Sequence, residues 1–173
     1  MSPSWLVDRR GNELERGDRK MTETTIALRT ARQHWMAVLA RASRAEIEQL
    51  IATVPPLPAY EIMSPARIGT VMVEGRAGGT GARFNLGEAT VTKTVVRLAD
   101  GTMGFAYALG RDTHKALLGA VLDAALQDEH RHDELMRSVV GPLAEVQDER
   151  RLDASSKAAA TRVDFFTLQR GEG

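Results

Sequence analysis

The chain has 173 residues, of which 43% are hydrophobic and 27% charged, so it is long enough to bury a core and fold as one domain. Its 23 basic and 23 acidic residues cancel, which argues against a general nucleic-acid-binding protein because such proteins carry a basic excess. The lack of cysteine excludes disulfides, thiolate zinc sites, cysteine nucleophiles and any iron–sulfur cluster held by this chain alone.

The first residues differ in composition from the rest of the chain. Residues 1–20 are rich in charge, contain Gly11 and Gly17, and show no sustained hydrophobic period. We therefore expect residues 1–29 to be a disordered extension, with Met21 as a candidate natural start, ahead of a single domain over residues 30–173. The start lacks the apolar segment of a signal peptide, and no apolar run approaches the ~20 residues of a membrane span. We expect a cytoplasmic protein.

Two helices are predicted to form a hairpin at the start of the domain. Apolar residues recur at helical spacing between Thr30 and Arg41. Ser43 and Glu46 form the S-x-x-E pattern of a capping box, which predicts that a second helix begins there. The prolines that begin at Pro55 are expected to end it.

Short strands are predicted after this hairpin. Ala59–Met63 and Ile68–Glu74 have the composition of strands, and we expect Ser64-Pro65 to separate them. A glycine-rich loop then leads to the clearest strand pattern in the chain.

That pattern predicts a β-hairpin with a defined register. Glu88–Ala99 and Thr102–Leu109 flank Asp100-Gly101, which favours a two-residue type I′ turn. Such a turn pairs Leu98 with Met103 and continues in steps of two. The predicted core face then consists of Val96, Leu98, Met103, Phe105, Tyr107 and Leu109. The opposite face would carry Arg97 over Gly104 and Lys93 over Ala108, which leaves room for a ligand or another chain.

The rest of the chain predicts further helices and an aromatic tail. Asp112 or Thr113 is suited to cap a helix whose alanines and Gly119 permit close packing. A further helix is expected to break at Gly141-Pro142, before a helix over Leu143–Ala160 that lies on the surface or on a partner. The tail VDFFTL places Phe165 and Phe166 on opposite sides of a strand, so one of them is expected to contact a second chain. The fold class is therefore α+β, with an N-terminal helical hairpin, a small mainly antiparallel sheet, C-terminal helices and a short aromatic tail.

The glycine-rich loop is a candidate site for phosphate or for an acidic partner. Its backbone N–H groups are suited to cradle an anion, yet the loop lacks the Lys-Ser/Thr ending of a P-loop, and from spacing alone a flexible turn between strands is the favoured explanation. Arg111, just before a predicted helix, is a second candidate, with His114 close behind. The complete predicted site comprises Arg76, Gly78, Gly79, Thr80, Gly81, Arg83, Lys93, Arg97, Arg111 and His114.

Neither a metal site nor a catalytic constellation is predicted. His130 and His132 lie among acidic residues, but an i, i+2 pair on a helix does not share a face, so we expect no metal there. The sequence contains no nucleophile elbow, P-loop or zincin helix, and no catalytic residue is assigned.

Several short strings stand in one order along the chain: TARQHWM from Thr30, GGTG from Gly78 with Arg83-Phe84 and Gly87–Thr90, Val96–Leu98 with Asp100–Thr102, Gly110–Asp112, and Thr161–Phe166 with Arg170-Gly171. Together they resemble the PhnG family, the G subunit of the carbon–phosphorus lyase core complex. The resemblance covers Thr30 to Gly171, after the extension.

This resemblance implies a role in phosphonate catabolism. It implies an accessory subunit of an alpha-D-ribose 1-methylphosphonate 5-triphosphate synthase, in which an alkylphosphonate displaces adenine from MgATP. The family's activity is attributed to the I subunit working with G and H, and carbon–phosphorus cleavage to the J subunit, so H, I and J are the implied partners. MgATP would be a substrate of the complex, and this chain alone would bind no cofactor. The alternative, judged from the residues, is an independent phosphate- or nucleotide-binding enzyme that uses the glycine/arginine-rich loop.

Overall fold

The computed structural model describes residue 26, residues 28–76 and residues 81–160. The expectations for residues 1–25 and for the tail with Phe165 and Phe166 lie outside these ranges. The described chain is an α+β fold, as predicted. In chain order, helices come before and after a three-stranded antiparallel sheet.

Two helices open the domain. Helix α1 covers residues 28–41, and α2 covers Arg44–Ile51. The capping box is confirmed, because the Ser43 hydroxyl accepts a hydrogen bond from the Glu46 N–H at 3.3 Å and the Glu46 carboxylate accepts one from the Ser43 N–H at 2.8 Å. This reciprocal pair satisfies N–H groups that the first turn of a helix leaves free.

The sheet contains β1 (Tyr60–Arg76), β2 (Arg83–Leu98) and β3 (Met103–Leu109), in the order β1-β2-β3. The prediction of two short strands before the glycine loop was wrong, because β1 runs without a break through Ser64-Pro65. Instead, the pairing with β2 shifts between Ile62 and Ser64 and again between Ser64 and Arg67. Proline lacks an N–H for the ladder, and β-bulges are where strands tolerate it.

The β2–β3 hairpin is present, but its predicted register was wrong by one residue. Val96 lies opposite Gly104 and Arg97 opposite Met103. The loop has three residues, since the Leu98 N–H donates to the Thr102 carbonyl at 2.9 Å and Gly101 takes a φ of 91°. Such a loop consists of a type I turn followed by a left-handed residue.

Because strand side chains alternate, a slip of one residue moves all of the β3 side chains to the other face. Val96 and Leu98 do face the core, as predicted, but Gly104, Ala106 and Ala108 face it with them. Phe105, Tyr107 and Leu109 are 37%, 54% and 50% exposed. The expected placement of Lys93 and Arg97 over very small residues is therefore wrong, because they lie opposite Tyr107 and Met103.

Helix α3 (Thr113–Ala125) packs against all three strands and is capped by Asp112, as predicted. Its Ala120 and Ala124 side chains are fully buried against the sheet. A Cβ on Gly104 would collide with the Ala120 carbonyl oxygen and come within 2.8 Å of the Ala124 Cβ. The small residues on both elements therefore allow the helix backbone to approach the sheet backbone directly.

The C-terminal helices are α4 (Glu129–Leu135), a π-helical segment over Met136–Val140, and α5 (Gly141–Ala160). The predicted break at Gly141-Pro142 was wrong. The Gly141 N–H donates to the Met136 carbonyl five residues back, and this wider turn leads directly into α5. Pro142 is then the second residue of α5, directly after the wide turn.

Two buried clusters share helix α3. One lies between the helices, and the other lies between α3 and the sheet. The helical cluster includes Trp35, Val38, Leu39, Ile47, Leu122, Leu126, Val139 and Val140, and the sheet cluster includes Val96, Leu98, Ala106, Ala120, Val121 and Ala124. Within the part of the chain that is described, no helix is long and apolar enough to cross a membrane.

The close approach at Gly104 gives a test of the packing. We expect Gly104→Ala to lower the free energy of unfolding by about 1–3 kcal/mol, because the added methyl group meets backbone atoms that cannot turn away. Gly69→Ala is the matched control, since a Cβ there meets nothing within 4 Å. Urea denaturation of both variants measures the difference, and equal stabilities would contradict the packing described here.

Candidate functional site

The glycine loop joins β1 to β2, and its residues 77–80 lie outside the described ranges. Gly78, Gly79 and Thr80 therefore have no structural account, while Arg76 ends β1 and Arg83 begins β2. These two arginines are directly opposite each other in the ladder. The Arg83 guanidinium also lies 3.8 Å from the Glu74 carboxylate.

The strands next to this loop extend beyond the rest of the sheet. Strand β3 ends at Leu109, which pairs with Val91, so residues 70–76 and 83–90 form a two-stranded arm. The arm exposes large apolar side chains, with exposed fractions between 38% and 62%: Val71, Met72, Val73, Phe84 and Leu86. A surface that combines apolar side chains with arginine is typical of a contact region for another macromolecule.

Lys93 and Arg97 lie on the sheet face that is turned away from α3, which we call the outer face. Lys93 has Arg67 on one side and Tyr107 on the other, as its direct neighbours on β1 and β3. Arg97 makes an ion pair of 2.7 Å with Glu61. The structure thus brings Lys93 next to a cation that the sequence did not identify, while Arg97 has a counter-ion within the sheet.

Arg111 and His114 lie at the start of α3, away from the β1–β2 loop along the chain. The Asp112 carboxylate already caps this helix by accepting from the Lys115 N–H at 2.9 Å. That bond, together with the nearby Arg44 guanidinium, holds the pKa of Asp112 below its ordinary value. His114 lies 3.4 Å from Glu48, so acidic groups already surround this helix start.

The most highly bonded polar group of the domain is Asp123, which the sequence prediction missed. It is completely buried. Its carboxylate accepts hydrogen bonds from Arg32 at 2.7 and 3.1 Å, from the Trp35 indole at 2.9 Å and from the Phe105 N–H at 2.9 Å. An aspartate within the apolar run VLDAAL was the sequence signal for this role.

Lys115 is a second buried charged residue, and its ammonium group donates to the Ala40 carbonyl at 2.9 Å. Burial lowers the pKa of Lys115, and the Asp112 and Glu46 carboxylates oppose that shift. The lysine therefore donates a hydrogen bond to the C-terminal end of α1, where the last carbonyl groups lack partners within the helix.

His132 of α4 also has local partners. A ring nitrogen of His132 lies 2.8 Å from the Leu126 carbonyl oxygen, and its ring contacts Trp35 edge-on with centroids 5.5 Å apart. Among the residues that the structure covers, no group of three or more histidine, aspartate or glutamate residues is arranged to hold a metal ion.

The fold and these contacts define a small α+β domain whose buried charges have structural partners and whose exposed arm and outer sheet face carry arginine and lysine side chains. The chain matches the family of the phosphonate metabolism protein PhnG over residues 30–171, and it belongs to this family. It is 39% identical over 143 residues to the alpha-D-ribose 1-methylphosphonate 5-triphosphate synthase subunit PhnG of Rhizobium meliloti (strain 1021). That match covers 82% of this chain and 90% of the relative. The family predicted from the sequence is confirmed.

The Asp123 contacts predict a strong effect on stability. We expect Asp123→Ala to lower the free energy of unfolding by about 3–5 kcal/mol. The reason is that the Arg32 guanidinium and the Trp35 indole N–H would lose the carboxylate that accepts their hydrogen bonds. Asp148→Ala is the control, since its ion pair with Arg151 is exposed and such pairs contribute about 0–1 kcal/mol. Guanidinium denaturation would contradict the assignment if the two variants lost similar stability.

The cap at Asp112 predicts a dependence on pH. At pH 7 we expect Asp112→Ala to cost about 1 kcal/mol and Asp112→Asn to cost less, because asparagine also caps helices. Since folding lowers the pKa of Asp112, its contribution is full above the ordinary aspartate pKa of about 3.9 and is lost as the pH falls through the lower native pKa. Thermal unfolding between pH 7 and pH 3 should show wild type and Asp112→Ala converging. A constant difference over that range would refute the charge assignment.

Proposed function

We propose that this protein is an accessory subunit of the carbon–phosphorus lyase assembly and has no turnover by itself. In the reaction of that assembly, a phosphonate oxygen forms a bond to C1 of the ribose of ATP. The bond from C1 to the adenine nitrogen breaks, and adenine leaves with the electron pair. Membership of the PhnG family and the name of the Rhizobium relative, a synthase subunit, support this proposal.

The observation that carries the proposal is the exposed arm. An isolated two-stranded ribbon is marginally stable in water, yet this one presents five large apolar side chains to solvent. Because these side chains are between 38% and 62% exposed, covering each of them on a partner contributes roughly half of the ~1.5–3 kcal/mol that full burial gives. The arm is therefore suited to be stabilised through contact with another subunit.

The contacts of the charged groups also support an accessory role. Asp123, Asp112 and Lys115 are each engaged in contacts within the fold, as described above. A chain of this kind supplies shape and surface charge, and we propose that the H, I and J subunits supply the chemistry. MgATP would then be a substrate of the whole assembly in the cytoplasm, and this chain alone would hold no cofactor.

Co-expression with the H, I and J subunits tests this function. We expect the chain to elute with them in size-exclusion chromatography and the assembly to release adenine from MgATP when an alkylphosphonate is present. The assembly lacking this chain should lose the activity, and the isolated chain should show none. Adenine release by the isolated chain, measured by liquid chromatography, would overturn the proposal.

One observation favours the alternative of an independent nucleotide-binding enzyme. Arg76 and Arg83 face each other where the glycine loop leaves the strands, a position from which both can approach one phosphate group. Isothermal titration of the isolated chain with MgATP distinguishes the two functions. The subunit proposal expects no tight binding, whereas tight binding that Arg76→Ala or Arg83→Ala abolishes would establish the alternative.

A further inference from the structure

The outer face of the sheet contains a row of three neighbouring side chains. The ladder places Arg67 of β1 opposite Lys93 of β2, and Lys93 opposite Tyr107 of β3. Residues that are direct partners in a ladder lie on the same face, with Cβ atoms about 4.5–5.5 Å apart. Since Thr92 and Thr94 on either side of Lys93 are buried toward α3, the row itself points away from that helix.

The row brings two positive charges together, and the part of the chain that the structure describes places no counter-ion beside them. Like charges directly opposite in a sheet are unfavourable. Two other exposed arginines of the sheet do have acidic partners, since Arg97 pairs with Glu61 at 2.7 Å and Arg83 lies 3.8 Å from Glu74. Within residues 28–76 and 81–160, neither Arg67 nor Lys93 has such an ion pair, although both are exposed.

Apolar side chains surround these charges. Phe105 and Leu109 precede and follow Tyr107 on the same face of β3, and they are 37% and 50% exposed. Val71 continues the face along β1 at 39% exposure. Aromatic residues and arginine, set in an open sheet face, fit the composition of a protein–protein interface, whereas small-molecule sites are concave.

From this arrangement we propose that the Arg67–Lys93–Tyr107 row docks an acidic surface of another subunit of the assembly, with one or two carboxylates between the cations and apolar side chains around them. This inference rests on the proposed function, because it needs those subunits. An aspartate or glutamate at this position offsets the repulsion between Arg67 and Lys93, and it accepts a hydrogen bond from the Tyr107 hydroxyl. The apolar rim of the row excludes water from the ion pairs that form.

Charge reversal in the full chain tests the docking surface. Arg67→Glu with Lys93→Glu should weaken binding to the H, I and J subunits about 100-fold, because carboxylates would then face carboxylates. Arg137→Glu with Arg151→Glu is the matched control, since it makes the same change in charge at exposed positions of the C-terminal helices. The control should bind like wild type, and both double variants should keep the wild-type circular dichroism spectrum.

A neutral variant separates docking from a structural role. Arg67→Gln with Lys93→Gln removes the repulsion within the chain, so its melting temperature should equal or exceed that of wild type while its affinity for the subunits falls about tenfold. A lower melting temperature with unchanged affinity would overturn the inference. So would reversed charges that leave assembly intact. If wild type itself fails to assemble, the proposed function fails as well. This outcome differs from failure of the docking inference alone, in which wild type assembles and the variants assemble equally well.

Photocrosslinking identifies the occupant. A benzophenone amino acid at Tyr107 in the full chain, irradiated in the assembled complex, should crosslink to an acidic segment of a different subunit. A crosslink to a second copy of this chain, or to another part of the same chain, would overturn the inference. A further contrary result is that the isolated wild-type chain binds MgATP while the charge-reversed variant does not, with assembly unchanged. That result would assign the row to a phosphate group and would also overturn the docking inference.

Discussion

The buried Asp123 carboxylate connects α1, α3 and β3 through hydrogen bonds from donors on two of these elements. From its place on α3 it accepts from Arg32 and Trp35 of α1 and from the backbone of β3 at Phe105. A buried charge is costly unless it is paired and fully hydrogen-bonded, so all of these donors must be in place at once. These bonds therefore help to fix α1 against the sheet, together with the bond from Arg32 to the Met103 carbonyl, and they hold α3 over β3 together with the close packing at Gly104.

Sequence patterns predicted most of the elements and the family because these depend on local chemistry. The capping box at Ser43 and Glu46 and the cap at Asp112 each need only a short segment, and the structure contains both. The family emerged from many short strings in a fixed order. It did not depend on knowing which side of a strand is buried.

The faces of the β2–β3 hairpin could not be predicted in this way. The register of a two-residue turn placed the hydrophobic Phe105 and Tyr107 in the core, whereas the core contains Gly104 and Ala106. The physical reason is the close approach of α3, whose alanines leave no room for large side chains on that side of β3. In the same way, the wide turn at Met136–Val140 lets α5 begin beside Pro142, an outcome that depends on packing of the buried Val139 and Val140.

The candidate site was predicted as a set of residue types but not as an arrangement. Arginine and lysine around a glycine-rich loop indicated an anionic ligand or partner, and the ladder shows which cations are neighbours. Arg67 went unnoticed because it is distant from Lys93 in sequence and meets it only through the shifted pairing of β1 with β2. Asp123 went unnoticed because its donors come from segments far away in the chain.

The bonds at Met103 and Phe105 also affect how the molecule behaves while it is unassembled. The Phe105 N–H donates to Asp123, and the Met103 carbonyl accepts from Arg32 and Gln127. These are the groups that a foreign strand would need in order to extend the sheet from its last strand, and unprotected strand borders of this kind start aggregation. Side chains bond the groups that a neighbouring strand would otherwise bond. Newly made copies are therefore protected from pairing edge to edge over this stretch of β3.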